Sequence, residues 1–411
     1  MNSGRELVWR QPGKPRVQAA RAFLPLMRAA VESNPDDIEL LLDLVIALRN
    51  AGRQSEIVDR LAPKAASHGL PPELAVELGA AANLCGDTRR ARMALEMAMD
   101  DGAPGPILRD PAGRSAARQR ARVELASVLT AAGQHDAALR AVTAALDLNP
   151  HDDAALSMAA DQMLKQGRAP ALIALLDDLE MRGVRSAMLL SCRANALGAC
   201  GAHAELERLV SPSQWCVQAM IGPDEVDNRR LAEVILTHPA LVTSPGDRPT
   251  RGTNHRLDAI ASREEPEIRA IVSTIRRHVD AYVAARRDVP HPLMSHMPAA
   301  AVLQGWALAT NGDGHEARHI HARSWITAVY YARVPVARRR AAGPPPGSIV
   351  FGPWPSETHR CAGAFPAWHL EPREGMLLIF PSFMAHSTVP SDVDEPRLCV
   401  TLDTMPQSLP A

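Results

Sequence analysis

Three histidines in the last quarter of this 411-residue chain have residue types and a spacing that suit a metal site. His319 and His321 precede the apolar run SWITAVYY, and side chains at i and i+2 of an extended segment point to the same side. His386 follows the apolar run MLLIF and a Pro-Ser turn, so it can approach from an opposing strand. Three nitrogens on one face leave three positions open, the number that a bidentate oxoacid and dioxygen need at a non-haem Fe(II) ion.

A cation follows the third histidine where it can hold a carboxylate. Arg397 opens the run RLCVTLD, and its planar guanidinium is the candidate clamp for the far carboxylate of 2-oxoglutarate. Thr401 lies on the same strand face and is a candidate to assist it. Tyr330 and Tyr331 alternate sides, so one of them must face the interior, where its phenol could hydrogen-bond the oxoacid.

Short β-strands must position these side chains. Beyond residue 300 the sequence predicts strands at VLQGWALAT, SWITAVYYARV, SIVFG, MLLIF and RLCVTLD, separated by runs of turn residues. So many short strands within 301–411 favour a sandwich or jelly roll. A helical lead-in is predicted over 211–300, where the segment EPEIRAIVSTIRRHVDAYVAARR carries one apolar stripe.

The first half of the chain has an internal repeat built around recurring glycines. Three of the four intervals between these glycines are 34 residues, and the longer one contains a Gly/Pro-rich insertion over 101–113. The period and the paired Ala/Leu-rich helices resemble tetratricopeptide repeats over roughly residues 20–210. We therefore predict an all-α solenoid domain over 1–210. The glycines are Gly52, Gly86, Gly133, Gly167 and Gly201.

Solenoids of this kind present a concave surface to peptide or protein segments, so a peptide or protein partner is expected there. The alternative is that the repeats only support the rest of the chain as a rigid scaffold.

Residues 230–406 resemble the 2OG-Fe(II) oxygenase family that is often fused to tetratricopeptide repeats. Three motifs carry the resemblance in order: H-x-H before a V-Y-Y strand, G-x-L-x-x-F-P-S running to a histidine, and a closing R-x-x-V-x-L-D. The resemblance implies a double-stranded β-helix that uses Fe(II), 2-oxoglutarate and O2. By position it implies His319, His321 and His386 as iron ligands and Arg397 as the oxoacid clamp.

The chain departs from the broader superfamily at position 321, where most members have aspartate. Both His319 and His321 could bind the iron together with His386. One of the pair could instead line the pocket, or a carboxylate from Asp313 or Glu316 could take its place. A neutral ligand at 321 would leave the iron one positive charge richer than the usual triad.

Composition and charge limit the other classes of function. The 45 Lys and Arg residues balance 46 Asp and Glu residues, which gives no reason to expect nucleic acid or an anionic membrane as a partner. No signal peptide or long apolar span is visible, and the six cysteines lack the close spacing of a metal site. We expect reduced thiols and a cytoplasmic location.

Together these features predict an α+β multidomain protein, with a tetratricopeptide-type solenoid followed by a double-stranded β-helix with flanking helices. The expected function is a 2-oxoglutarate- and Fe(II)-dependent dioxygenase, a hydroxylase whose substrate is recruited by the repeats. The alternative function is a non-catalytic interaction scaffold with a degenerate β-helix.

Overall fold

The structure is a computed structural model, which describes residues 7–12, 20–100, 111–243, 249–336, 343–356 and 365–407. The chain divides into two compact units. The helical unit comprises Arg16–Gln166, and the β-core unit comprises Met1–Pro15 together with Gly167–Ala411. Residues 167–210 thus group with the β core, while the predicted division into 1–210, 211–300 and 301–411 stays a prediction.

The helical unit is built from successive antiparallel helices whose apolar faces form one core. A close approach between two of them depends on Gly79, where a β-carbon would lie 2.5 Å from Cγ of Leu95. The helices described are α1 (Ala20–Ser33), α2 (Ile38–Asn50), α3 (Gln54–His68), α4 (Pro72–Leu84), α5 (Thr88–Met99), α6 (Pro111–Ala131), α7 (His135–Leu148) and α8 (Asp153–Lys165).

The turn after α2 shows why the glycines recur. The Asp37 side chain accepts a hydrogen bond from the Leu40 amide and starts the helix. At the other end Gly52 has a φ of 72°, which lets the Arg53 amide donate to the Leu48 carbonyl at 2.9 Å. All five predicted glycines have φ between 69° and 82°. The predicted tetratricopeptide-type period is confirmed, although most of the insertion at 101–113 lies outside the described residues.

The β-core unit begins with further helices and continues into the sheets. In α14 the predicted apolar stripe is confirmed, because Ile268, Ile271, Ile275 and Val279 are all buried. The helices are α9 (Ala169–Met181), α10 (Ala187–Ala199), α11 (His203–Val210), α12 (Pro212–Trp215), α13 (Asn228–Leu236), α14 (Pro266–Ala284) and α15 (Pro292–Ser295), with a 3-10 turn at Ile260–Ser262.

The strands of this unit form a large and a small sheet and a two-stranded ribbon. They are β1 (Val8–Arg10), β2 (Val217–Met220), β3 (Thr250–Arg251), β4 (Asn254–Asp258), β5 (Ala300–Thr310), β6 (His315–Glu316), β7 (Ile326–Arg333), β8 (Ile349–Phe351), β9 (Trp368–Leu370), β10 (Met376–Pro381), β11 (His386–Thr388) and β12 (Arg397–Gln407). The large sheet has the order β1-β5-β12-β7-β10-β2 with β4 also paired to β5, the small sheet has the order β11-β8-β9, and β3 pairs with β6.

The two sheets face each other across an apolar contact between Phe351 and Phe380, whose ring centroids are 5.0 Å apart. The register places Thr401 opposite Val329 and Asp403 opposite Thr327, so alternate residues of β12 and β7 share the inner face of the large sheet. The predicted double-stranded β-helix core is confirmed, and all five predicted strands are present.

Strands β1, β2 and β4 were not predicted, because short runs such as VWR and NHRLD carry little alternation. Across the described part of the chain, no helix combines the length and apolar character needed to cross a membrane. Five described cysteines are free thiols, and Cys361 lies outside the described residues.

Candidate metal centre

Backbone pairing brings the histidines together. His319 and His386 form an isolated antiparallel bridge, in which each amide donates to the other's carbonyl at 2.9 Å. The His321 amide donates to the Ser382 carbonyl at 3.1 Å. The segment before β7 is therefore hydrogen-bonded to the segment that enters β11, and the predicted ligands lie at the same end of the two sheets.

Each imidazole uses Nδ1 within the protein. His319 Nδ1 donates to the Ala317 carbonyl at 2.8 Å, and His386 Nδ1 donates to the Met384 carbonyl at 2.9 Å. His321 Nδ1 donates to Asp403. These bonds fix the tautomers and leave Nε2 of each ring as a lone-pair donor. One ligand atom from each histidine lies within 4.8 Å of the others, so the structure brings all three predicted ligands together.

The electrostatics of the three rings differ. Burial and the neighbouring imidazoles hold the pKa of His386 well below its usual value. Burial also lowers the pKa of His319, against the opposing charge of Glu316. For His321 burial acts in the same direction, but the Asp403 carboxylate outweighs it and the pKa is raised. His319 and His386 are therefore neutral at neutral pH, as metal ligands must be.

Asp403 is a residue beside the histidine cluster that the sequence analysis missed. Its two carboxylate oxygens lie 2.8 and 2.9 Å from His321 Nδ1. The Thr327 hydroxyl donates to the same carboxylate at 2.8 Å and lies 2.8 Å from the Ser382 hydroxyl. This buried network orients the imidazole, in the manner of carboxylates that support metal-binding histidines. The available signal was a carboxylate at an alternate position of RLCVTLD, on the same face as Arg397 and Thr401.

Arg397 is a buried charge without a counter-charge. Its side chain begins β12, and the residue is 4% exposed. Its Nε atom is buried without a hydrogen-bond partner, and among the described residues no carboxylate lies within ion-pair distance. The guanidinium carbon lies 5.0 Å from the centre of the Tyr331 ring. An isolated buried cation is unfavourable, so this arrangement suits an anionic ligand.

The two candidate tyrosines lie on opposite faces of β7. Tyr331 faces inwards with a buried hydroxyl that has no partner, and burial raises its pKa to about 12, so it stays protonated and can donate. Tyr330 faces the other way, and its hydroxyl donates to Asn228 of α13. The cofactor-binding role predicted for Tyr330 stays a prediction, and its hydroxyl is hydrogen-bonded to Asn228 rather than directed towards Arg397. Thr401 lies on the inner face between Arg397 and Asp403.

Two further side chains line the wall beside His321. The Trp306 ring stacks on the His321 ring at 5.6 Å between centroids and an interplanar angle of 12°. The Arg256 guanidinium lies 4.0 Å from the centre of the Trp306 ring, and its Nε donates to Asp258 at 2.7 Å. Arg256 lies on β4, a strand that the sequence analysis did not predict.

The structure distinguishes the two carboxylates, Asp313 and Glu316, that were considered as alternative ligands. Asp313 accepts a hydrogen bond from the Thr253 amide at 2.9 Å, within the loop before β6. Glu316 instead places its Oε2 atom 3.6 Å from Nε2 of His319. Of the two, Glu316 alone is beside the predicted ligands.

Part of the β-core unit matches a known family. Residues 304–403 match the family described as "Putative 2OG-Fe(II) oxygenase". The predicted family resemblance is confirmed. The matched segment contains all four residues predicted to hold iron and oxoacid, His319, His321, His386 and Arg397. Among curated proteins, no sequence matches this chain.

Several solved structures each resemble part of the chain. The crystal structure of MamA has 16% identity and a TM-score of 0.33, over 40% of this chain and 88% of its own. A Pseudomonas putida prolyl-4-hydroxylase has 16% identity and a TM-score of 0.34, over 48% and 96%. A Trichoplax adhaerens prolyl hydroxylase, in complex with a hypoxia inducible factor peptide fragment, has 14% identity and a TM-score of 0.34, over 50% and 90%. At these scores the fold assignment depends on the strand order described above.

Proposed function

We propose that this protein is an Fe(II)- and 2-oxoglutarate-dependent oxygenase that hydroxylates a C–H bond of its substrate. Two observations carry the proposal: the ligand atoms of three histidines lie within 4.8 Å of one another, and the same unit buries an arginine, Arg397, for which the described residues offer no counter-charge. A β-helix kept only as a folded module would gain nothing from either feature, because both are costly to bury without ligands.

The residues present fit an iron ion. Nε2 of His319 is buried and has no hydrogen-bond partner, which is the state expected of a ligand atom that awaits a metal. Imidazole suits iron, and three ligands on one side leave positions for other groups. We propose that His319, His321 and His386 hold the ion, with Asp403 positioning His321. Bound iron and 2-oxoglutarate would activate O2, so that a C–H bond is oxidised while the oxoacid is converted to succinate and CO2.

The residues also fit an oxoacid. The Arg397 guanidinium can form two parallel hydrogen bonds with a carboxylate, and the Tyr331 hydroxyl beside it can donate a third. Thr401 is the neighbouring hydroxyl on the same strand. In this arrangement the protein fixes the orientation of the oxoacid and offsets its negative charge in a site shielded from water.

Trp306 and Arg256 form the wall on which we expect the substrate to lie, since the Trp306 ring is stacked on His321. We further propose that the repeat surface recruits a peptide or protein segment, because solenoids of this period present such surfaces. The cytoplasmic location expected from the sequence stays a prediction.

The test is an anaerobic titration of Fe(II)-loaded protein with 2-oxoglutarate, followed by the visible charge-transfer band of the iron–oxoacid chelate. The wild type should give the band. Arg397→Leu should need about 30-fold or more oxoacid to reach the same absorbance, the effect of removing one partner of a buried charge pair. Arg333→Leu is the matched control, because Arg333 lies beside Leu398 in the ladder and pairs with Glu395 instead. No band from folded, iron-loaded wild type would overturn the proposal.

A further inference from the structure

Glu316 is a carboxylate held beside the three-histidine cluster but outside it. Its side chain is 13% exposed, and its Oε2 atom lies 3.6 Å from Nε2 of His319. The Thr250 hydroxyl donates to Oε1 at 3.2 Å, and the Glu316 amide donates to the Thr388 hydroxyl at 2.8 Å. Contacts with β3 and β11 therefore fix the carboxylate and its backbone in this position.

Glu316 makes no direct bond to the cluster. The separation of 3.6 Å is too long for a hydrogen bond to His319. The ligand atoms that lie within 4.8 Å of one another come from the three histidines, and Glu316 is not among the residues of that group. Three protein ligands also leave the three positions that a bidentate oxoacid and dioxygen need. From where it lies, the carboxylate can act on the centre only through its charge.

The charge of Glu316 reaches both halves of the site. Burial lowers the pKa of His319, and Glu316 is the largest effect that opposes it. For His321 burial also acts to lower the pKa, but Asp403 outweighs it and Glu316 adds to the rise. Burial raises the pKa of Tyr331, and Glu316 acts in the same direction. Since these side chains are shielded from water, the interaction is little weakened by solvent.

The two carboxylates near the cluster lie on different sides of the imidazoles. Asp403 lies on the Nδ1 side of His321, so its charge is behind that ring as seen from the ligand atoms. Glu316 lies on the Nε2 side of His319, where the ion would be held. Three imidazoles are neutral ligands, which leave iron with one positive charge more than the usual set of two histidines and a carboxylate. Glu316 is placed to offset that charge.

We propose that Glu316 is the counter-charge of the metal centre, which offsets the charge of the iron without binding it. The three positions needed by the oxoacid and dioxygen thus stay open. Since Fe(III) carries more charge than Fe(II), the carboxylate stabilises Fe(III) more and lowers the Fe(III)/Fe(II) potential. The inference rests on the proposed function in one respect, namely that the three histidines hold iron.

The test compares the Fe(III)/Fe(II) potential of the iron-loaded wild type and Glu316→Gln, by anaerobic spectroelectrochemistry. The variant keeps the size of the side chain but loses its charge. The ratio of Fe(III) affinity to Fe(II) affinity should fall at least about 10-fold, which raises the potential by at least about 59 mV. Glu316→Asp keeps the charge and should lie closer to the wild type. Asp313→Asn is the matched control, an exposed carboxylate of the same loop whose loss should leave the potential unchanged.

Visible absorption of the Co(II)-loaded proteins shows whether the ligand set is the same. The wild type and Glu316→Gln should have the same Co(II) bands, because the carboxylate does not bind the metal. An unchanged potential in Glu316→Gln would overturn the inference, and so would altered Co(II) bands, since these would make Glu316 a ligand. If Glu316→Gln does not fold, Glu316→Met provides an uncharged side chain of similar length and is judged by the same two outcomes. Absence of metal binding by folded wild type would instead refute the proposed function.

Discussion

Two buried charges, one in each unit, have opposite surroundings. In the helical unit Glu77 of α4 is 4% exposed and accepts hydrogen bonds from Arg49 and Arg120, the latter at 2.6 Å. In the β-core unit Arg397 is equally buried, but no described carboxylate neutralises it. Glu77 ties three helices together, whereas no described carboxylate of the β-core unit offsets the charge of Arg397.

The contrast separates structural from functional charges. A buried charge with its partners in place contributes to the fold, and removing one partner is destabilising. A buried charge without a partner lowers stability until a ligand of opposite sign binds. We therefore interpret Glu77 as part of the helical core. We interpret Arg397 as one half of an ion pair whose other half is the oxoacid. The predictions below test this difference.

The largest effect is expected at His386. Replacing it by alanine removes the proposed ligand that is paired with His319 through the backbone bridge. Anaerobic Fe(II) binding, followed by calorimetry, should weaken at least about 100-fold, beyond the cost of losing a supporting group. His369→Ala, an exposed position on β9, should bind like the wild type. Equal Fe(II) affinity in His386→Ala and His369→Ala would show that His386 does not bind the metal.

Acid should destabilise the β-core unit through His291. Burial lowers the pKa of His291 to about 4, from 6.5 in the unfolded chain, and its Nε2 lies 3.1 Å from the Leu209 carbonyl. As pH falls, the unfolded chain takes up a proton at His291 before the folded chain does. The stability that neutral His291 contributes is therefore complete above pH 6.5 and is lost between pH 6.5 and about 4. Over this window the free energy of unfolding should fall by about 3 kcal/mol.

Tryptophan fluorescence can follow this loss separately, because all six tryptophans belong to the β-core unit. His291→Gln should flatten the pH dependence of unfolding in the window from pH 6.5 to 4. The same slope in the variant as in the wild type would show that other groups cause the acid sensitivity.

A smaller effect on the metal is expected at Asp403. The variant Asp403→Asn keeps the size of the side chain but loses the charge that orients His321. We expect a 10- to 100-fold loss of Fe(II) affinity, with the fold retained. Asp394→Asn, in the loop before β12, serves as the control, and a comparable loss there would argue against a specific role for Asp403.

The smallest effect is expected in the helical unit. Glu77→Ala leaves two arginines without their shared partner, but both are more than a third exposed and can regain water. We therefore expect the free energy of unfolding to fall by about 1–2 kcal/mol, measured by circular dichroism. Tryptophan fluorescence should report no matching change. Glu96→Ala, which breaks an exposed pair with Arg92, should have less effect.

Sequence reasoning reached the side chains that lie near one another along the chain or share one strand. His319 and His321 stand two residues apart, and His386 and Arg397 begin consecutive strands, β11 and β12. The alternation of Tyr330 and Tyr331 was visible, but which of them faces inwards depends on the register with β12.

The residues that were missed owe their positions to contacts between distant segments. Asp403 meets His321 over 82 positions of sequence, and Arg256 comes from a strand too short to predict. The grouping of α10 with the β core is also non-local. A β-carbon on Gly198 would lie 2.7 Å from the Trp354 carbonyl oxygen, so the helix approaches that segment closely. A contact between segments so distant in sequence cannot be predicted from any local pattern.

The most direct test of the central claim is the stability of Arg397→Leu with and without 2-oxoglutarate. Unfolding would be followed by tryptophan fluorescence on anaerobic, Fe(II)-loaded protein. Without oxoacid the variant should be at least as stable as the wild type, because a lone buried charge has been replaced by an apolar group. At 100 times the Kd of the wild type, 2-oxoglutarate should stabilise the wild type by about 2.7 kcal/mol. The same concentration should stabilise the variant by far less. A variant that is destabilised without oxoacid, yet gains the full stabilisation on adding it, would contradict the account.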